Sequence, residues 1–219
     1  MGKDLNGIST RFVDESAKME GISLDVCGAY GIATLAALKG GSEVVACDMD
    51  QAHLNILLKE TPDKDNRMLT TKKGTLAGVD FKNQSVVAIH CSRCLHFLVP
   101  GELKLTLEKM YNWLQPGGKI YLITDTCFSG PWKQYLPEFD RKKAEGDPFP
   151  GFIEDALQCL PVSKLPKGMT PHMNCLDPAT PPPECKLVGL EFIEADFLGT
   201  PLSAVKFAKD YAGTSVLYN

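Results

Sequence analysis

Short apolar runs alternate with amphipathic segments over the first 125 residues. Five runs have the length and composition of strands: Ile22–Cys27, Glu43–Cys47, Arg67–Thr71, Ser85–His90 and Lys119–Asp125. Helices are predicted between and before them, from helical spacing or helix-forming composition, at Phe12–Glu20, Ile32–Leu38, Gln51–Glu60 and Glu102–Leu114. Strands that alternate with helices of this length indicate βαβ units. The pattern therefore predicts an α/β fold with a doubly wound, mostly parallel sheet and helices on both faces.

The alternation stops after Asp125. Residues 128–183, here called the insertion, hold eleven of the fifteen prolines together with several aromatic and aliphatic side chains. A segment of this length is too long for an ordinary loop, and its apolar content favours an ordered lid after the fifth strand over a disordered segment. Leu190–Phe197 and Ser215–Tyr218 predict two closing strands. We expect one domain over residues 1–219, with the insertion inside it.

Composition narrows the classes of partner. The formal net charge is −4, so no basic surface is expected and nucleic acid is not predicted as a partner. No apolar run reaches the length of a membrane-spanning helix, and the opening residues MGKDLNGISTRF lack the apolar core of a secretion signal. We expect no membrane partner and a cytoplasmic location, while the oligomeric state stays open.

The eight cysteines raise the question of disulfides or a metal site. Several lie inside apolar, strand-like runs, where a free thiol acts as a small apolar side chain. Plain packing is therefore the favoured interpretation. Cys91 and Cys94 form a lone CxxC, which half a zinc site or a redox pair would use. No second CxxC and no histidine pair at ligand spacing completes a metal site, so no metal is predicted.

The turn after the first strand is the clearest candidate for a binding site. Its small residues, within Gly28–Gly31, would let a ligand press against the backbone near the carboxyl ends of the strands. Asp48, twenty residues after Gly28, can accept hydrogen bonds from two ribose hydroxyls. Tyr30 and Ala33 occupy the second and third glycine positions of a dinucleotide fingerprint, and Tyr30 would obstruct a pyrophosphate. A nucleoside ligand without phosphates fits this turn better.

Several such features follow one another in a specific order. They are Asp25–Gly31 (DVCGAYG), the acid Asp48, the apolar strand that ends in His90–Ser92, and Leu114–Gly118 (LQPGG) before the fifth strand. In this order they resemble the class I S-adenosylmethionine-dependent methyltransferases. The resemblance implies a Rossmann-like, seven-stranded, mostly parallel sheet, S-adenosyl-L-methionine as cofactor, and methyl transfer as the reaction.

The resemblance spans about Phe12–Asp125 and resumes in Leu187–Phe197. Within the family, the A-Y-G-x-A-T-L turn and Arg93–Leu98 (RCLHFL) are most similar to the branch that methylates small molecules. This chain departs from the family by having Cys27 and Ala29 where glycines are usual. It also has Gly74-Thr75 where an acid often follows the glycine, which leaves the adenine amino contact to the backbone or to the Thr75 hydroxyl.

The resemblance also implies the cofactor-contacting positions. Asp25 and the turn would bracket the methionine part, Asp48 would hold the ribose, and His90 and Cys91 would face the sulfonium. Met49, Thr75 and Leu76 would lie near the adenine. The full predicted set is Asp25, Gly28, Ala29, Tyr30, Gly31, Asp48, Met49, Thr75, Leu76, His90 and Cys91.

A general base is needed only if the acceptor arrives protonated, and it must lie within hydrogen-bond reach of that proton. The candidates are His90, His96, Tyr135 and His172. Three of them have a structural alternative: His90 as a strand residue that packs under a helix, His96 as a packed or capping residue, and Tyr135 as part of the core of the insertion.

The aromatic residues and low net charge of the insertion favour a small organic acceptor over a polyanion. Three functions compete: a methyltransferase that acts on a small molecule, a nicotinamide-dependent oxidoreductase on the same fold, and a non-catalytic cofactor binder or protein methyltransferase. The missing glycines and the Pro-Gly-Gly segment disfavour the oxidoreductase.

Overall fold

Buried strands form the centre of the fold. The computed structural model describes residues 5, 7–128, 130–160, 171–177, 189–197 and 202–209. Its strands are β1 Ile22–Val26, β2 Glu43–Asp48, β3 Leu69–Lys73, β4 Val86–Ser92, β5 Leu114–Asp125, β6 Phe152–Ile153, β7 Met173–Asn174, β8 Leu190–Phe197 and β9 Leu202–Lys209. Its α-helices are α1 Gly7–Ser16, α2 Ile32–Lys39, α3 Gln51–Glu60, α4 Pro100–Trp113 and α5 Leu136–Ala144, and its 3₁₀ helices span Asn66–Met68, Leu95–Phe97, Gly130–Tyr135 and Ala156–Gln158.

The strands of the main sheet lie side by side in the order β3-β2-β1-β4-β5-β9-β8. The first five are parallel, and β9 pairs antiparallel with both β5 and β8. The predicted Rossmann-like α/β fold with a mostly parallel sheet is confirmed. The chain moves outward from β1 to β3 and then returns to place β4 on the other side of β1. The switch point of the sheet, where such folds bind ligands, therefore lies between β1 and β4.

Helices cover both faces of the sheet. On one face, Phe12 of α1 and Leu38 of α2 pack with Val44 and Tyr121. On the other, α4 packs through a row of buried side chains against the alternate positions of the same strands, among them Val45. Strands that are buried on both faces need apolar residues at successive positions. This requirement explains why they appear in the sequence as continuous apolar runs rather than as alternating ones.

Two boundaries differ from the prediction for identifiable reasons. The first helix spans Gly7–Ser16 rather than Phe12–Glu20. Its inward face includes the buried polar residue Ser9, which an apolar pattern does not reveal, and the Ser16 hydroxyl donates to the carbonyl of Phe12 at the end of the helix. The fifth strand starts at Leu114, so the Pro-Gly-Gly segment lies within its assigned range.

The closing part of the sheet is only partly as predicted. Leu190–Phe197 is β8, as expected. Its antiparallel partner β9 spans Leu202–Lys209, which the sequence pattern had not indicated. The strand predicted at Ser215–Tyr218 lies outside the described residues.

The described part of the insertion, residues 130–160 and 171–177, has a small core of its own. Trp132, Tyr135 and Phe139 pack there with Ile153 and Met173, and β6 pairs antiparallel with β7. Cys127, two residues past the end of β5, belongs to the same cluster. The insertion therefore begins at the carboxyl edge of the sheet, on the side of β5.

None of the helices within the part of the chain that the structure describes is both long and apolar enough to cross a membrane.

Candidate functional site

The turn that joins β1 to α2, residues 27–31, is called here the β1 turn. Three of its residues have left-handed backbone: Cys27 at φ 59°, Ala29 at φ 46° and Gly31 at φ 74°. This conformation is uncommon for residues other than glycine and costs about 1–3 kcal/mol at each such position. The fold thus retains the left-handed backbone even at the two positions where this sequence lacks glycine. Strain of this kind is concentrated at ligand sites and switch regions.

Gly31 is required at the end of the turn for a second reason. A Cβ atom added there would lie 2.4 Å from Cδ1 of Leu57, a buried residue of α3. Residues 27–29 are half-buried and Tyr30 is exposed. Backbone of the β1 turn is therefore partly accessible, as the sequence predicted for a binding turn.

Asp48, at the end of β2, faces the β1 turn directly. Its Oδ2 accepts a hydrogen bond from the backbone N–H of Ala29 at 2.9 Å, and its Oδ1 accepts one from the backbone N–H of Asp50 at 2.8 Å. Nδ1 of His53 lies 3.1 Å from Oδ1. Among the described residues Oδ2 accepts from the Ala29 N–H alone, and a carboxylate oxygen can accept two hydrogen bonds. The carboxylate therefore has capacity for one more donor, such as a hydroxyl.

Exposed apolar side chains flank this carboxylate. Met49 is 69% exposed and Tyr30 41%, and the Tyr30 ring packs edge-on against His53. Large apolar groups at a surface mark binding sites when they lie together around polar groups. The position beside Asp48 thus combines apolar surface with hydrogen-bond acceptors, which suits a nucleoside.

Asp25, near the end of β1, hydrogen-bonds to residues of α2 and β4 beside the β1 turn. Its Oδ2 accepts from the backbone N–H and the hydroxyl of Thr34, at 3.1 Å and 2.6 Å, in the first turn of α2. Its Oδ1 lies 2.8 Å from Nδ1 of His90. Because a carboxylate only accepts, Nδ1 of His90 is the donor in this contact, and Nε2 lies 2.9 Å from the hydroxyl of Ser9. Asp25 is 1% exposed, so its visible role is to anchor α2 and β4 to the turn.

His90 and Cys91 differ from the sequence expectation that they face the cofactor. His90 is 4% exposed, stacks on Phe12 of α1, and has a hydrogen-bond partner for each ring nitrogen. Cys91 is fully buried in the core on the opposite face, and burial raises the pKa of its thiol to about 12. Neighbouring residues on a strand point to opposite faces, and here both faces are covered by helices. The side chains at the end of β4 therefore pack inside the protein.

Two of the three residues predicted near the adenine, Thr75 and Leu76, differ from each other in exposure. Thr75 is exposed, and its hydroxyl accepts from the backbone N–H of Gly78 at 3.1 Å. Leu76 is 6% exposed and packs with Val26 and Cys47 in the main core. Thr75 is thus accessible to a ligand, whereas the Leu76 side chain is committed to the core.

The structure joins Cys27 and Cys94 in a disulfide, with the two Cα atoms 6.2 Å apart. Plain packing, the favoured interpretation from sequence, is wrong for these two residues. It holds for the other cysteines that the structure describes, all of which are free and buried, including the CxxC partner Cys91. The sequence could not reveal this pair because its members lie 67 residues apart, at the ends of neighbouring strands.

The remaining candidate bases also have structural roles. His96 is 3% exposed, and its Nδ1 accepts from the backbone N–H of Asp125 at 3.1 Å. Burial lowers the pKa of His96, and the nearby Asp125 carboxylate only partly opposes this effect. The Tyr135 hydroxyl donates to the carbonyl of Phe152 at 2.9 Å, and burial raises its pKa. The packing alternative applies to both.

His172 is half-buried, and its Nε2 lies 2.9 Å from the carbonyl oxygen of Phe97. Asn174 donates from Nδ2 to the carbonyl of Leu98 at 3.4 Å. These contacts tie the insertion to the segment that follows β4. His172 is the least enclosed of the candidate bases.

Sequence reasoning missed the residues that attach the insertion to the sheet. Asp125, the last residue of β5, accepts from the indole N–H of Trp132 at 3.1 Å, and its carbonyl accepts from the backbone N–H of Leu176 at 3.0 Å. Lys143 pairs with the buried Asp177 at 2.8 Å. An acid at the end of a strand followed by a nearby tryptophan was the only available signal for this junction.

A cavity of about 750 Å³ lies on the insertion. It is lined by Gln134, Tyr135, Pro137, Glu138, Arg141, Lys142, Glu154 and Cys159. Its size is within the range of small-molecule sites, and its lining combines both signs of charge. In the residues that the structure describes, no group of three or more histidine, cysteine or acidic side chains is arranged to hold a metal ion.

Comparison with known proteins gives a match to one family model. A family model described as a methyltransferase domain matches residues 24–118, which include β1, the β1 turn, Asp48 and β4. No curated protein matches the chain.

Solved structures share the fold at low sequence identity. An S-adenosylmethionine-dependent methyltransferase from Mesorhizobium loti is 14% identical, with a TM-score of 0.68 over 95% of this chain and 100% of the other. The glycopeptide N-methyltransferase MtfA, solved with S-adenosylhomocysteine, is 17% identical, with a TM-score of 0.62 over 94% of this chain and 90% of the other. The 1,6-didemethyltoxoflavin N1-methyltransferase of Burkholderia thailandensis is 11% identical, with a TM-score of 0.62 over 93% and 79%.

Proposed function

We propose that the chain is a class I S-adenosylmethionine-dependent methyltransferase, as its methyltransferase-domain match supports, and that it transfers the methyl group of S-adenosylmethionine to a small-molecule acceptor. One observation carries the cofactor assignment. The Asp48 carboxylate lies 2.9 Å from the Ala29 backbone N–H; the acid is 7% exposed, and the exposed side chains of Tyr30 and Met49 lie beside it. Ribose hydroxyls can bind to this acid while the rest of the nucleoside lies along the turn.

The residues of this site fit the cofactor in their chemistry. The β1 turn offers partly accessible backbone, Asp48 offers acceptors for hydroxyls, and Met49, Tyr30 and Thr75 are exposed beside it. We therefore assign the adenosine half to the surface formed by Gly28–Gly31, Asp48, Met49 and Thr75. We assign to Asp25 and His90 the task of holding the turn rather than contact with the cofactor, because both are buried and hydrogen-bonded to α1 and α2.

The cofactor supplies a methyl group that its sulfonium already activates. The protein then has to align the acceptor and exclude water, and alignment alone can lower the barrier by about 7–11 kcal/mol. We propose that the insertion acts as the lid for this purpose, within a single domain over residues 1–219. The packing of Trp132 and Cys127 joins the insertion to the end of β5. The 1,6-didemethyltoxoflavin N1-methyltransferase, which shares this fold, acts on a small molecule, and this supports a small organic acceptor.

If the acceptor requires a base, His172 is the candidate that we propose. It is the only one of the four predicted bases that is not nearly fully buried, and it lies against Phe97 in the segment after β4. In this proposal the roles of His90, His96 and Tyr135 are structural, because all three pack and hydrogen-bond within the protein.

Calorimetry tests the cofactor assignment. Protein kept reduced should bind S-adenosylmethionine or S-adenosylhomocysteine and should not bind NAD. Asp48→Asn keeps the shape of the side chain but replaces one acceptor oxygen with a donor. We expect it to weaken S-adenosylhomocysteine binding by about 10- to 150-fold, because hydrogen bonds to charged groups contribute about 1.5–3 kcal/mol.

Asp140→Asn is the matched control, since Asp140 is an exposed carboxylate on α5; its affinity should stay within about twofold of wild type. Equal affinity of Asp48→Asn and Asp140→Asn would remove the ribose assignment. Binding of NAD alone would replace the methyltransferase with an oxidoreductase.

A further inference from the structure

The Cys27–Cys94 disulfide links the two loops that border the switch point of the sheet. Cys27 is the first residue of the β1 turn, and Cys94 lies two residues after β4. From β1 the chain continues into α2 on one face of the sheet, while after β4 it continues into α4 on the other face. Connections that leave on opposite faces open a crevice between them, and this crevice is where doubly wound sheets bind ligands.

The bridge leaves too little room for a ligand between these loops. The Cα atoms of Cys27 and Cys94 are 6.2 Å apart. A chain of ligand atoms between two protein walls needs about 3.5–4 Å on each side, or roughly 7–8 Å in total. Tyr30 and Met49, on the proposed adenosine side, are by contrast exposed while the bridge is formed. The structure thus has exposed side chains on the adenosine side and a closed crevice.

The backbone on both sides of the bridge is strained. Cys27 has φ 59°, and Arg93, next to Cys94, has φ 58°. Left-handed backbone at residues other than glycine persists only when the surrounding structure enforces it, and it is concentrated at switch regions. Opening the bridge allows both segments to relax away from each other.

The pair is also the accessible one among the cysteines that the structure describes. Cys27 and Cys94 are half-buried, whereas the others are fully buried. Burial raises the pKa of Cys47 and Cys91 to about 12, and also raises those of Cys159 and Cys175. Thiol exchange proceeds through the thiolate, so buried thiols with raised pKa values react slowly.

We propose that Cys27 and Cys94 form a reversible redox site that controls access of the cofactor's methionine end to the crevice: the disulfide closes it and the dithiol opens it. This inference rests on the proposed function. Closing consumes one small-molecule disulfide. One thiolate attacks it to form a mixed disulfide and releases one thiol, and the second cysteine thiolate then displaces the other thiol. Two cysteine thiols are oxidised, their two protons end on the two released thiols, and the small disulfide is reduced.

The test uses the full chain, equilibrated either with oxidised glutathione or with dithiothreitol and then freed of reagent. Peptide mapping after alkylation measures the fraction that carries the Cys27–Cys94 link, and calorimetry measures S-adenosylhomocysteine affinity. We expect the linked form to bind at least about tenfold more weakly, and dithiothreitol to restore full affinity. Because linkage is reciprocal, saturating S-adenosylhomocysteine should disfavour the link by the same factor.

Cys94→Ser removes the bridge and leaves the β1 turn intact. Its affinity should match that of the reduced wild type under both treatments. Cys175→Ala, at a buried free cysteine of the insertion that does not line the cavity, is the control and should keep the full response to oxidation.

Equal affinity of the linked and reduced forms would overturn the redox site and leave the proposed function in place, as would failure of the link to form in oxidised glutathione. If neither the reduced protein nor Cys94→Ser binds S-adenosylhomocysteine, the proposed function fails and the inference fails with it.

Discussion

The surface around the β1 turn and the insertion are built differently, although both lie at the carboxyl edge of the sheet. Around the β1 turn the important groups are backbone: left-handed residues at 27, 29 and 31, and N–H groups that bind carboxylates. In the insertion they are side chains: a cluster of aromatic residues, with the indole of Trp132 and the hydroxyl of Tyr135 each donating to a defined acceptor. Backbone geometry leaves a recognisable pattern of small residues in the sequence, whereas a packed cluster can be built from many combinations of apolar residues. The β1 turn is therefore easier to predict from the sequence than the core of the insertion.

The largest loss of stability is expected at Gly31, the most constrained position of the β1 turn. Gly31→Ala places a methyl group 2.4 Å from Cδ1 of Leu57 in a residue at φ 74°. Strain and overpacking together should lower the free energy of unfolding by about 2–4 kcal/mol and weaken S-adenosylhomocysteine binding, as measured by urea denaturation and calorimetry.

Gly117→Ala separates the two causes. Gly117 has nearly the same backbone angle, φ 78°, but no atom within 4 Å of an added Cβ. It should therefore cost only the backbone strain, about 1–2 kcal/mol, and leave cofactor affinity unchanged. Similar losses of stability and of affinity in both variants would show that the β1 turn is no more constrained than an ordinary left-handed glycine.

A substitution in the insertion should cause a smaller loss of stability. Trp132→Phe keeps an aromatic ring but removes the N–H that donates to Asp125, leaving a carboxylate oxygen without this partner. We expect a loss of about 1–3 kcal/mol in the free energy of unfolding, with S-adenosylhomocysteine affinity within about twofold of wild type. If affinity falls as far as in Asp48→Asn, the two regions are not separable. Leu157→Ala, at an exposed residue of the insertion, should change stability by less than about 0.5 kcal/mol.

The smallest effect is a dependence of stability on pH. Burial lowers the pKa of His96 in the folded protein, so below about 6.5, the ordinary histidine value, the unfolded chain binds a proton that the folded one does not. Stability should fall as the pH decreases through this range, by at most about 1.4 kcal/mol per pH unit for one proton. His96→Asn, which keeps an acceptor for the Asp125 N–H, should flatten the slope between pH 6.5 and 5.5 in urea denaturation. An unchanged slope would show that His96 is not the group responsible.

The difference between the β1 turn, built from backbone groups, and the insertion, built from side chains, also explains how much the sequence could predict. The proximity of Gly28–Gly31 and Asp48 could be predicted because chain geometry restricts which residues fit there. The burial of His90 under α1 could not be predicted, because a residue at the end of a strand can point to either face. The Cys27–Cys94 pair and the Asp125–Trp132 contact depend on how loops meet in space, and no local pattern encodes that meeting.

The central claim is that the Asp48 carboxylate and the β1 turn hold the ribose of S-adenosylmethionine. A crystal structure of the reduced protein with S-adenosylhomocysteine tests it most directly. We expect a carboxylate oxygen of Asp48 within about 3 Å of a ribose hydroxyl, with the Ala29 N–H still nearby. A ribose bound elsewhere, with Asp48 contacting only Ala29, Asp50 and His53, would contradict it.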